Sequence, residues 1–95
     1  MNINPTRYTL TVNPKEVKPY NPIHDAIQGT ICSILDIEVG ERGWFMVWSD
    51  FDGWHRIHTS TVESVMTDEV GGEAVEIVVT THNTVYTFKK IEETT

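Results

Sequence analysis

The chain has a single cysteine, Cys32, which excludes an internal disulfide and a Cys-rich zinc site. With so little cysteine, a reducing cytoplasm is the default compartment. Long apolar runs are missing too: none approaches the roughly 18 residues of a membrane span. Met1-Asn2-Ile3-Asn4-Pro5 lacks a basic start followed by an apolar stretch, so the reading includes neither a signal peptide nor a membrane partner. Cations are few, with 7 Lys and Arg against 14 Asp and Glu and a formal net charge of −7. Arg7, Lys15, Lys18, Arg42, Arg56, Lys89 and Lys90 are scattered along the chain. Such a chain repels nucleic acid, so no direct nucleic-acid binding is expected.

Signatures of chemistry are also scarce. There is no phosphate loop and no dinucleotide fingerprint. Ser60 stands near His58 and Asp52, but no Gly-x-Ser-x-Gly elbow surrounds it. His55 and His58, three apart on a strand, point to opposite faces and cannot share an ion, while His24 and His82 meet only by tertiary accident. Asp50-Phe51-Asp52-Gly53 resembles part of a calcium loop. Setting Gly53 at that loop's sixth position places Trp48 and Thr59 where acids are required, so the match fails. Cys32 stands among Ile31, Ile34 and Leu35 and reads as an inert buried thiol. The expectation is a protein that is not an enzyme and carries no metal and no cofactor.

What the chain does have is concentrated in Gly43–Ser60, GWFMVWSDFDGWHRIHTS. This stretch holds all three Trp, two of the three Phe and two of the four His. Trp44–Trp48 and Trp54–Thr59 read as strands joined by the loop 49–53, with Gly53 at the position that favours a left-handed residue. In a symmetric hairpin Trp48 faces Trp54, Met46 faces Arg56, and Trp44 faces His58, all on one face. Phe45 and Val47 then oppose His55 and Ile57 on the other. The second set suits a core. The first is large and amphipathic, a composition that favours recognition, unless another segment covers it as a second core layer.

Other strands follow from alternation and turn residues. Thr6–Val12 alternates Tyr8, Leu10 and Val12 with Thr9 and Thr11, and Asn13-Pro14 ends it. Pro14, Pro19 and Pro22 mark an arm or crossover laid over the barrel. Asn21-Pro22 opens a short helix over 21–29 that Gly29 stops, with a strand over 30–36 preferred to a longer helix. Further strands are expected at 61–67, 74–81 and 84–91, the last pair joined by His82-Asn83, where Asn tolerates positive φ. The pattern predicts one domain over 1–95: an N-terminal strand and Pro-rich arm (1–20), a helix (21–29) and β structure (30–91). Its class is mainly β (α+β), a small curved antiparallel sheet or an SH3-like or OB-like barrel of about five to six strands with one short N-terminal helix.

Three segments, Gly40–Phe45, Gly53–Ser60 and Thr80–Phe88, resemble small uncharacterised β-rich proteins encoded by bacterial phages. The resemblance implies a compact accessory protein that binds and modifies a host factor, and it brings no catalytic residues. The expected binding residues are Trp44, Met46, Trp48, Phe51, Trp54, Arg56 and His58, facing a protein partner or a second copy in a homodimer. Two alternatives remain. The first is an acidic decoy that inhibits a nucleic-acid-binding host defence enzyme. The second is a small-molecule or nucleotide-binding barrel, with Trp54, His55 or Tyr86 stacking a ring and Arg56 holding an anion. A core-facing, unpaired His55 would also cost stability below about pH 6.5.

Overall fold

The computed structural model describes residues 7–14 and 26–91. Six strands form in order: β1 (Tyr8–Pro14), β2 (Ile31–Asp36), β3 (Arg42–Ser49), β4 (Gly53–Val70), β5 (Glu73–Thr81) and β6 (Thr84–Lys90). Each pairs antiparallel with the next, and β6 returns to β1, closing a barrel. Neighbours in space are neighbours in sequence throughout. This up-and-down order differs from the Greek key of the expected OB-like barrel.

Alternation decides what fills the interior. Leu10, Phe88 and Ile77 lie in one cross-strand row, and Val12, Tyr86, Val79 and Val65 in the next. Phe45, Phe88, Leu10, Val79 and Val62 are fully buried. The rings interlock: Phe45 meets Phe88 edge-on with centroids 5.4 Å apart, and Tyr8 meets Phe88 at 6.4 Å. Such edge-to-face pairs add about 0.5–1.5 kcal/mol beyond the area they bury. Cys32 lies in this core, where burial pushes its thiol up to about 12. An inert thiol is what that environment produces.

Several expectations change. Of the helix expected over 21–29, residues 21–25 lie outside the described residues, as does the arm over 15–20. Only Ala26 and Ile27 carry helical backbone, so no helix stands as an element among the described residues. The turn at Gln28-Gly29, where Gly29 has φ 73°, leads directly into β2. The preferred strand over 30–36 is there. The strands expected at 54–59 and 61–67 are instead one continuous 18-residue strand, β4, bent by irregular pairing near Val62. Asn83 does not take positive φ; its turn is closed by the Thr81 hydroxyl, which donates to the Thr84 carbonyl at 3.2 Å.

The seam between β1 and β2 is short, with only Tyr8↔Cys32 and Thr9↔Ile31 in register. Beyond it, Leu10 exchanges backbone bonds with Thr30 and Gly29. The Gln28 side chain then takes the place of a missing peptide group. Its Oε1 accepts from Val12 N at 2.7 Å, and its Nε2 donates to Val12 O at 2.9 Å. A primary amide has the donor and acceptor such a mimic needs. Among the described residues no helix is long and apolar enough to cross a membrane.

Candidate functional site

The outer face of β3 and β4 is assembled by local pairing. Trp44↔His58, Met46↔Arg56 and Trp48↔Trp54 sit opposite one another, as the symmetric hairpin requires. Ser49 and Gly53 close the ladder, and Gly53 takes φ 82°, which a side chain would strain. The tip is held by its own polar groups. Phe51 N–H donates to Ser49 Oγ at 3.2 Å, leaving the Phe51 ring 99% exposed.

The side chains on this face touch in two groups, one around Trp54 and one around Trp44. Trp48 and Trp54 meet edge-on with centroids 5.4 Å apart, and Trp44 lies 5.1 Å from the His58 ring. The Arg56 guanidinium sits 5.8 Å from the Trp44 ring centre, and the Arg7 guanidinium 4.9 Å from that of Trp54. Each cation–π contact at an exposed site contributes on the order of 0.5–1 kcal/mol. Trp48 Nε1–H donates to Asp50 Oδ1 at 3.1 Å. Trp48 remains 42% exposed, Arg56 and His58 are exposed, and Trp44, Met46 and Trp54 are half-buried. Among the described residues no strand lies over this face. The face offers flat rings and a planar donor group already ordered by mutual contact, which lowers the entropy lost on binding.

All seven expected binding residues lie on this hairpin, six on the shared face and Phe51 at its tip. Three further side chains went unanticipated. Arg7 has the outward parity of Thr9 and Thr11, but only tertiary packing brings it over Trp54. Ile31 and Leu35, read as companions of buried Cys32, are both exposed on β2. Leu35 is the extra residue where pairing skips from Ile34↔Phe45 to Asp36↔Trp44, which sets it beside Trp44. Alternation around buried Cys32 was the signal for Ile31; a bulge leaves none.

His55 corrects another expectation. Its register opposite Val47 gives it core-side parity, yet it sits where the barrel opens, and its side chain is about half exposed. Its Nε2 lies 2.5 Å from Asp52 Oδ1, so it is neither buried nor unpaired. That hydrogen bond holds the Asp52 carboxyl below its ordinary value. A carboxylate with a depressed folded pKa contributes stability that is full above its unfolded value, about 4, and lost as pH falls through the folded one. An Asp52→Asn variant should therefore show a lower urea midpoint than wild type at pH 5, with the gap closing below about pH 3.5. A gap unchanged down to pH 2.5 would mean the pair does not form in solution.

His58 has the opposite parity to His55 and stays on the Trp face. Among the described residues no group of three or more His, Cys, Asp and Glu is placed to hold a metal ion. Tyr86, expected as a stacking group for a small ligand, is buried inside the barrel, with its ring 6.1 Å from Phe45. No family model, curated protein or solved structure matches the chain.

Proposed function

We propose that the chain is a non-catalytic protein-binding module, a phage accessory protein that engages a host factor through the Trp-Arg face of β3 and β4. One observation carries this reading. Trp48 and Arg56 are exposed on an outer face where Trp44, Trp54 and Arg7 are already stacked, so aromatic area and directional donors stand ready together. Trp and Arg are the residue types that dominate binding energy at protein interfaces.

The test is a binding titration against host proteins captured by the wild type, repeated with a Trp48→Ala/Arg56→Ala double variant. Both side chains lie outside the barrel core, so circular dichroism should show the fold intact. Affinity should fall at least thirtyfold or so, given roughly 1–2 kcal/mol for each anchor. Unchanged affinity in a folded variant would defeat the reading. A monomer–dimer equilibrium abolished by the same variant would instead make the partner a second copy.

Run at rising salt, the titration also separates the acidic-decoy alternative, whose binding should weaken steeply and compete with DNA or RNA. That alternative is supported by uneven charge. Glu38 hydrogen-bonds Glu41 beside Asp36 on the β2–β3 turn, and this crowding raises the Glu38 carboxyl above its ordinary value.

A further inference from the structure

A closed barrel normally leaves no strand edge, because every strand has two neighbours. Here β4 runs past its neighbour. Pairing with β3 ends at Arg42↔Thr61, and the last bonds on that side join Val62 to Gly40 and Glu41. On its other side β4 stays paired with β5 through Val70↔Glu73. From Ser64 to Val70, β4 therefore has a strand neighbour on one side only among the described residues. Backbone groups in an antiparallel ladder alternate between the two sides, so about half of those in this segment point to the open one. Met66 and Val70 on this segment are 69% and 65% exposed.

Charge sets the kind of strand that fits. No Lys or Arg occurs between Arg56 and Lys89. The acids of β5 are matched by β6: Glu73 meets Lys90 at 2.6 Å, and Glu76 pairs in register with Lys89. Among the described residues Asp68 and Glu69 on β4 meet no such cation, and Asp68 lies opposite Glu76. An antiparallel second copy would bring like charges along the same edge, which destabilises cross-strand pairs. A basic strand would relieve them.

We propose that the Ser64–Val70 edge of β4 receives an extended Lys- or Arg-containing segment of a partner protein as an added antiparallel strand. Main-chain bonds to the open edge supply the pairing. On one face Met66 and Val70 meet its apolar side chains and Asp68 between them meets a cation, while Glu69 meets a cation on the other face. This surface is separate from the Trp-Arg face and does not depend on the function proposed for it.

The experiment titrates into the full chain a fluorescent peptide of about eight residues, Val-Lys-Lys-Val repeated, so that each face of the strand alternates valine with lysine. A second peptide of the same sequence carries N-methyl groups on alternate amides, which blocks ladder bonds and keeps the charges. The expected result is saturable binding of the first, little binding of the second, and slowed amide exchange confined to 64–70 and its ladder. Asp68→Asn/Glu69→Gln should weaken the first peptide about three- to tenfold. Trp48→Ala/Arg56→Ala should leave it unchanged, so this test can fail or succeed independently of the other face. Equal binding of the two peptides would overturn the proposal in favour of a diffuse acidic patch, and no binding at millimolar peptide would overturn it outright. A dimer that Met66→Lys dissociates would overturn it by making a second copy the occupant.

Discussion

Phe45→Ala is expected to destabilise the protein by about 3–5 kcal/mol, the range for emptying a buried aromatic site. Phe45 is fully buried and meets Phe88 edge-on and Tyr86 obliquely, so its removal leaves a void bounded by rings that cannot collapse inward without breaking register. A domain of this size has about 5–15 kcal/mol in total, so the loss is a large share of it. At roughly 4–8 °C per kcal/mol, the melting temperature should drop by some 12–40 °C. Phe51→Ala is the control: the same chemical change at a 99% exposed ring should stay within about 0.5 kcal/mol. Urea midpoints of the two variants decide the matter. Similar losses for both would mean that the hairpin's two faces are exchanged or that the barrel does not close around Phe45.

Thr59→Val should cost about 1–3 kcal/mol although it changes almost no volume. Pairing of β3 with β4 is irregular between Arg42 and Trp44, and there the Gly43 N–H finds its acceptor in a side chain, Thr59 Oγ1, at 2.9 Å. The hydroxyl in turn donates to the Ser60 carbonyl at 2.6 Å. Thr59 is buried, so a methyl in place of the hydroxyl strands an N–H away from water. The same contact explains why position 43 holds glycine. A Cβ there would lie 3.1 Å from Thr59 Oγ1 and 3.4 Å from a Val62 methyl. Thr59→Ser keeps the hydroxyl and should lose less than Thr59→Val. If serine loses as much, the methyl contact and not the hydrogen bond holds this bend.

What could be read from the sequence was whatever depends on near neighbours. Strict alternation on either side of a Gly-ended loop assigned Trp44, Met46, Trp48, Trp54, Arg56 and His58 to one face and Phe45 and Val47 to the other, and the observed register agrees pair by pair. Side chains in a strand point alternately, so a hairpin's register follows once its loop length is known. The same alternation puts Tyr86 and Phe88 inward on β6. Parity, however, says only which residues share a face. It does not say where along a strand the barrel ends, which is why His55 has core parity yet sits exposed beside Asp52. Nor does it reveal where a strand bends without breaking: β4 is continuous because neighbours on both sides absorb its irregular pairing near Val62. The remaining features depend on residues far apart in the chain. Closure of β6 on β1, Arg7 over Trp54 and Gln28 completing the ladder at Val12 are long-range contacts that no local pattern encodes. The open edge of β4 is likewise a difference in reach between two strands, visible only once they are laid side by side.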